Sequence, residues 1–338
     1  MEIRIIDLTE DQLVDESISK ELKNAIHKRF ARNELSIVFL NRKGYSPVIY
    51  CRNCGKVTKC PKCSIPLVYH SDTSEIKCHY CNYTEKYSGV CSCKSNRLTF
   101  FGLGTEKIVS ILNNFFPEAN ILKLDRDTVR NYQIKQKVIS EILSNKYDII
   151  VGTQFILQFK EIFVNEKKFR KLTFVGFVDI DTGLYLPHYR SAEHTFELAY
   201  NLSEFIYPDG ELLIQTHNPK HYIFRYIKTL DWKKFYNREL KYRKELFYPP
   251  YSNLVSVIIE GTKKENVINE ISSYSKFITE LNENLFLIGP IQHKQKKIRK
   301  KYYEQFMLKI PVERTYEITR KLANYIPVYK TFISYSFE

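Results

Sequence analysis

Eight cysteines fall within 43 consecutive residues, Cys51, Cys54, Cys60, Cys63, Cys78, Cys81, Cys91 and Cys93, and the rest of the 338-residue chain has none. Three of the pairs are C-x-x-C, the spacing that lets two thiolates on a tight turn take adjacent corners of a zinc tetrahedron. Gly55 follows the first pair, where such a turn often needs a positive φ. Eight thiolates suffice for two sites of four ligands each, so two zinc ions per chain are expected. A disulfide cluster and an iron–sulfur centre are the competing chemistries. The first is disfavoured because a chain without a signal sequence keeps its thiols reduced. Among the possible pairings a nested one is preferred, with Cys60, Cys63, Cys78 and Cys81 closing an inner loop and Cys51, Cys54, Cys91 and Cys93 closing the base. The last pair is C-x-C, one residue shorter than the others, and that spacing is expected to strain the outer site. His70 and His79 could replace a thiolate, but with eight thiols available each is expected to be a surface or packing residue. A segment this small and polar has little core of its own, so each zinc should supply folding energy directly.

A second chemistry is carried by cations. Residues 294–301 read "KQKKIRKK", six basic residues in eight, followed by Tyr302 and Tyr303. Lys296, Lys297, Arg299, Lys300 and Lys301 are candidate phosphate contacts, with the tyrosines available to stack on bases. Arg42 and Lys43, in "FLNRKGY" just before the first cysteine, are candidates for the same surface. The plain alternative is a solvated hairpin tip, although a run this dense repels itself unless an anion visits it. The whole chain has 52 Lys and Arg against 38 Asp and Glu, a formal charge of +14, which favours a polyanionic partner. Part of that excess follows from a composition rich in Lys, Asn, Ile, Tyr and Phe.

The elements that must position these groups can be read from hydrophobic period. "ISKELKNAIHKRFARNE" places Ile18, Leu22, Ile26 and Phe30 on one helical face, and "LSIVFLN" follows as a strand. "FFGLGTEKIVSILNNFF" is a glycine turn opening a helix, with further strands at "NILKL", "YDIIVGTQ", "KLTFVGFVDID" and "GELLIQTHN" and a helix at "IKQKVISEILSNK". Alternating strands and helices imply a parallel-sheet α/β domain. Ligands of such sheets sit at the carboxyl ends of strands, where Gly152, Thr153, Gln154, Asp179 and Asp181 fall, although strand-end aspartates are also ordinary caps. No G-x-x-x-x-G-K-[ST] and no G-x-G-x-x-G occurs.

From about Asp231 the composition turns to Tyr, Lys and Phe, and after Pro249 and Pro250 the order becomes strand, helix, strand, strand, helix, strand, which suits a small split β-α-β sandwich. The composition, 43% hydrophobic and 27% charged, is that of a folded chain of two or three domains. No stretch approaches the ~20 apolar residues of a membrane span, and the N-terminus is acidic where a signal peptide is basic, so a cytoplasmic location is expected.

Several stretches together resemble the C-terminal half of the primosomal replication-restart helicase family, PriA: "FLNRKGYSPVIYCRNCGKVTKCPKC", "IKCHYC", "GLGTEKI", "LKLDRDT", "IIVGTQ", "DIDTGLYLPHYRSAEHTF", "ELLIQTHNP", "FYNRELKYRKELFYPPY" and "IGPI". The resemblance covers nearly all of the chain. It implies a RecA-like helicase second lobe at residues 1–50 and 94–230, a two-zinc insertion at 51–93 with nested cysteine pairs, and an α+β C-terminal domain at 231–338. It implies binding of stalled or forked DNA, and partners among primosome proteins, single-stranded DNA-binding protein and the replicative helicase machinery, with a nucleoid-associated location. The family is an ATP-dependent 3'-5' DNA helicase. Its first lobe, with the phosphate-binding Lys and Mg²⁺-binding acidic motif, is expected to be absent, leaving no ATP site in this chain alone. Where the family carries Gln-x-x-Gly-Arg-x-Gly-Arg, this sequence reads "YNLSEFIYPDGE", with no arginine between Arg190 and Arg225. The segment after Gly152, Thr153 and Gln154 also lacks the family's Lys-Gly turn, so no catalytic residue is assigned. Gly102, Gly104, Thr105, Asp179 and Asp181 are remaining helicase-motif positions. The expectation is a restart or primosome-assembly protein without its own ATPase. The alternatives are one part of a split helicase and a zinc-dependent protein-docking remnant.

Overall fold

A computed structural model describes residues 1–10, 13–15, 17–41, 46–51, 53–61, 65–70, 73–78, 83–101, 104–165, 170–186, 188–281, 285–298 and 301–337. Arg42, Lys43, Cys63, His79, Cys81, Gly102, Arg299 and Lys300 lie outside these residues. The chain divides into two units, one of Met1–Thr58 with Ser88–Phe235 and one of Lys59–Tyr87 with Tyr236–Glu338.

The first unit is built on a six-stranded sheet whose spatial order is Glu2–Asp7, Glu211–Thr216, Leu172–Asp179, Leu35–Leu40, Ile149–Gly152 and Ile121–Leu124, every pair parallel. Leu35–Leu40 and Glu211–Thr216 are buried throughout, as near-continuous apolar strands covered on both faces must be. The helix Lys20–Ala31 begins at Ser19, whose hydroxyl accepts the Leu22 N–H at 3.1 Å. It buries Leu22 and Ile26, together with Ile18, against Val38, Leu40, Val178 and Leu213. The helix Thr105–Phe115 adds Ile108, Ile111 and Leu112 to the same core. Side-chain alternation puts Phe39 and Phe177 on the other face, their rings 4.8 Å apart. The edge strand Glu2–Asp7 was not legible as a strand: the N-terminus reads as acidic, and only Ile3 and Ile5 alternate before Ile6 breaks the pattern. A charge network holds it, Glu211 accepting from Arg4 and from the buried Arg29, each at 3.0 Å.

The second unit contains the antiparallel strands Val68–His70, Glu75–Lys77 and Thr84–Lys86 of the cysteine-rich region. It also contains a four-stranded antiparallel sheet ordered Phe286–Ile298, Lys301–Pro311, Ser252–Gly261 and Thr331–Phe337. Two helices, Lys264–Glu280 and Thr315–Ala323, close one face of that sheet by packing Val267, Ile271, Tyr274, Ile318 and Leu322 on Val255, Val257, Phe306 and Leu308. The strand and helix order is that of the expected split β-α-β sandwich.

Candidate metal centre and its surroundings

The first cysteine of each pair donates its backbone N–H to a carbonyl a few residues on, and the distance along the chain follows the spacing. In the three C-x-x-C turns the N–H of the first cysteine is donated to the carbonyl five residues on: Cys51 to Lys56 at 2.9 Å, Cys60 to Ile65 at 2.8 Å and Cys78 to Tyr83 at 2.8 Å. In the C-x-C turn the bond falls one residue earlier, Cys91 N–H to Ser95 at 2.9 Å, with Lys94 at φ +65° donating back to the Cys91 carbonyl at 2.8 Å. The missing residue is taken up by a tighter turn.

That turn brings the outer four sulfurs together. Cys51 Sγ lies 3.7 Å from Cys93 Sγ, Cys54 Sγ lies 3.6 Å from Cys91 Sγ, and all four lie within 4.8 Å of one another. A tetrahedron with zinc–sulfur bonds of about 2.3 Å has edges of about 3.8 Å, so the donor set fits that ion in type and in spacing. The Ser95 backbone N–H favours the Cys93 thiolate and lowers its pKa to about 6, whereas burial pushes Cys54 up to about 12. Four sulfurs this close cannot all ionise without a compensating cation, which a divalent metal supplies. No histidine belongs to the group among the described residues. Of the inner set, Cys60 and Cys78 are described and both are buried.

The outer centre rests on the carboxyl edge of the parallel sheet. Gly55 takes φ +67°, and a Cβ there would fall 1.8 Å from the His217 carbonyl oxygen. Tyr50, next to Cys51, packs its ring against that of His217, centroids 4.5 Å apart and planes tilted by 53°, and its hydroxyl lies 3.2 Å from His217 Nε2. Asp181 is wholly buried and accepts from the Thr216 hydroxyl at 2.7 Å and the His217 N–H at 2.6 Å. Asp179 accepts the N–H groups of Asp181 at 2.9 Å and Thr182 at 3.2 Å, and the Thr182 hydroxyl at 2.5 Å. Burial, and then the neighbouring Asp181 charge, push Asp179 up to about 6. Gln154 donates to Asn41 at 3.4 Å, Gly104 caps the helix Thr105–Phe115, and Thr105 donates to the buried Asp125 at 3.1 Å. The strand-end residues singled out from the sequence are therefore gathered at one edge. Tyr50 and His217 were not singled out, because a ring pair 167 residues apart leaves no local signal.

The described residues of the basic run lie on two paired antiparallel strands. The strand Phe286–Ile298 carries Lys296 and Lys297, and pairs with Lys301–Pro311 in the register Ile298 to Lys301. Lys301 is engaged within the sheet, its Nζ 2.6 Å from Glu260 Oε1, so its charge is partly compensated.

Two family models match the chain: the PriA DNA helicase Cys-rich region at residues 60–86 and the Primosomal protein N C-terminal domain at residues 244–331. The first covers the inner cysteines and the second the basic hairpin. Proteins named Replication restart protein PriA are similar over most of its length. That of Bacillus subtilis is 33% identical over 302 residues, 87% of this chain and 36% of that protein. That of Thermotoga maritima is 31% identical over 313 residues, 91% and 41%, and that of Borreliella burgdorferi 29% over 328 residues, 96% and 47%. The chain thus spans less than half the length of these relatives.

Proposed function

We propose, from the premise that this chain is a PriA-type protein corresponding to the C-terminal part of that family, that it binds forked or stalled DNA and primosome components without hydrolysing ATP itself. The observation that carries the binding half is the hairpin of Phe286–Ile298 and Lys301–Pro311, which places Lys296, Lys297 and Lys301 of the basic run on one β-ribbon inside the region matched by the family's C-terminal domain. In this reading residues 1–50 and 94–230 are a RecA-like second lobe, 51–93 a two-zinc insertion held by Cys51, Cys54, Cys91 and Cys93 and by Cys60, Cys63, Cys78 and Cys81, and 231–338 the DNA-binding α+β domain. Lys296, Lys297, Arg299, Lys300, Arg42 and Lys43 contact phosphates, with Lys301 a weaker contributor because Glu260 already neutralises it. Single-stranded DNA-binding protein and the replicative helicase machinery are the partners, on the nucleoid.

The non-hydrolytic half rests on the segment between the helix Ser191–Ser203 and the strand Glu211–Thr216, which offers no arginine to a transferring phosphoryl group. Removing one such arginine costs a rate factor on the order of 10³ or more. The nearest preceding one, Arg190, is turned onto Tyr189, with Nε 2.9 Å from the phenol oxygen.

Fluorescence anisotropy of the zinc-loaded chain on a labelled fork and on an equal-length duplex, across salt, tests this. Six phosphate contacts give a slope of log K against log salt of about −5, a fall of ~10³ between 50 and 200 mM. Replacing Lys296, Lys297, Arg299 and Lys300 by Gln should make that slope shallower by about 3 to 4. Equal, weak binding to both DNAs, or an unchanged slope in the variant, would place recognition elsewhere.

A further inference from the structure

The outer cysteine centre is seated on the sheet edge, against His217 and the residues that hold it. His217 closes the strand Glu211–Thr216, and the turn there is fixed by the Asn218 N–H donating to the Thr216 hydroxyl at 3.0 Å. Gly55, inside the Cys51 to Lys56 turn, lies so close to the His217 carbonyl that no side chain fits between them. The Tyr50 hydroxyl reaches His217 Nε2 from the neighbouring residue to Cys51, and His217 Nδ1 is buried 3.4 Å from Asp181 Oδ2 without a hydrogen bond of good geometry. A tyrosine proton donated to Nε2 leaves the ring proton on Nδ1, facing the Asp181 carboxylate.

We infer that Tyr50, His217 and Asp181 are positioning residues for the outer metal: together they hold the Cys51–Cys54 turn at the distance from Cys91 and Cys93 that a tetrahedral ion requires, and the bound ion in turn orders the sheet edge. The inference rests on the reading of Cys51, Cys54, Cys91 and Cys93 as a metal centre. The ligands come from two separate segments, so the affinity of the site depends on how well the first is preset against the second. Groups that orient metal ligands from behind are typically worth 10- to 100-fold in affinity. Coupling of this kind is reciprocal, so whatever the seat contributes to binding, binding contributes to the order of the seat.

The test uses the full chain, stripped of metal and titrated with zinc against a chromophoric chelator. Two zinc equivalents are expected, and a Cys91→Ser, Cys93→Ser chain should lose one. In Tyr50→Phe, which keeps the ring contact and removes only the hydroxyl, and in His217→Ala, that same equivalent should weaken about 10- to 100-fold. The other equivalent should stay at its wild-type affinity, and His217→Gln, which restores a polar group near the Nε2 position, should recover much of the loss. Cobalt bound at the outer site should show shifted d–d bands in Tyr50→Phe. Amide exchange of His217 and of Glu211–Thr216 should slow when the outer equivalent is loaded. If His217→Ala fails to fold, Tyr50→Phe carries the test alone. Wild-type affinity in Tyr50→Phe and in any folded His217→Ala overturns the inference, as does a lowered melting point of the metal-free chain with affinity unchanged. If the double serine chain still binds two equivalents, the outer cysteines hold no metal, and the reading beneath the inference falls with it.

Discussion

Glu270 is a carboxylate with no exposed surface, in the helix Lys264–Glu280 between the core residues Val267, Ile271 and Tyr274. All of its acceptor capacity is directed at one connection. Oε1 accepts the Tyr325 hydroxyl at 2.6 Å and the Val328 N–H at 3.2 Å, and Oε2 accepts the Tyr329 N–H at 2.7 Å and the Thr331 hydroxyl at 2.9 Å. The connection leads into the edge strand Thr331–Phe337, so one buried side chain ties that strand to the helix layer. In Glu270→Gln an amide NH2 replaces one acceptor. The hydroxyl on that side can turn and accept, but the backbone N–H cannot, and one buried donor is orphaned at a cost of about 2 kcal/mol. Glu270→Ala orphans both N–H groups and leaves a cavity, for about 4 kcal/mol. The two units need not unfold together, so the assay is native-state amide exchange of the full chain, read at Val328, Tyr329 and Thr331–Phe337. Exchange there should accelerate about 30-fold in Gln and ~10³-fold in Ala, the conversion of those energies at ~1.4 kcal/mol per decade, with the parallel sheet unaffected. Rates within twofold of wild type in both variants would refute the claim that this carboxylate holds the connection.

Two further outcomes follow from the same reasoning. Asp179 has a folded pKa of about 6 against an ordinary value of 3.8, so the folded chain binds this proton more tightly than the unfolded chain does. Its contribution therefore favours folding below pH ~4 and is lost as pH rises through ~6, with a ceiling of about 3 kcal/mol. In Asp179→Asn the urea midpoint of the first unit should vary less between pH 4 and 7 than in wild type, and superimposable profiles would remove Asp179 as the cause. Chelation of zinc should abolish exchange protection in Val68–His70, Glu75–Lys77 and Thr84–Lys86, three-residue strands too short to persist alone, while Leu35–Leu40 and Leu172–Asp179 stay protected. Protection of all three short strands after metal removal would contradict a folding role for the metal.

What the sequence made legible followed its local patterns. Helix faces with apolar periods, such as Leu22 and Ile26, were readable because burial on one stripe leaves a 3.6-residue rhythm, whereas Ile18 joins the same core from before the helix's Ser19 cap. The cysteine turns were readable because metal ligation fixes spacing, and Gly55 because its turn needs a positive φ. What stayed hidden depends on partners distant in the chain. Glu2–Asp7 becomes a strand by pairing with Glu211–Thr216, more than 200 residues away. The compensation of the short C-x-C spacing by an earlier closure at Ser95 is a property of backbone geometry that residue types do not encode. Lys301 looked like a free cation in a basic run until the register placed Glu260 beside it.

The carboxyl edge of the parallel sheet is where an α/β domain commonly meets its ligand, and among the described residues the aspartates at this edge are hydrogen-bonded from within the chain. Asp179 is occupied by Asp181 and Thr182, Asp181 by Thr216 and His217, and Asp125 by Thr105, the N–H groups of Asp127 and Thr128, and the Thr128 hydroxyl. An edge built to receive a triphosphate would keep donors and cations unspent and aimed outward, since phosphoryl transfer is almost entirely a matter of positioning and charge stabilisation. An edge that serves as a joint would instead satisfy each carboxylate from within the chain and offer a flat seat for another element. Asp181, His217 and Tyr50 follow the second pattern, with Gly55 closing the gap to the cysteine turn. In the proposed reading Asp181, through His217, belongs to the support of the metal centre.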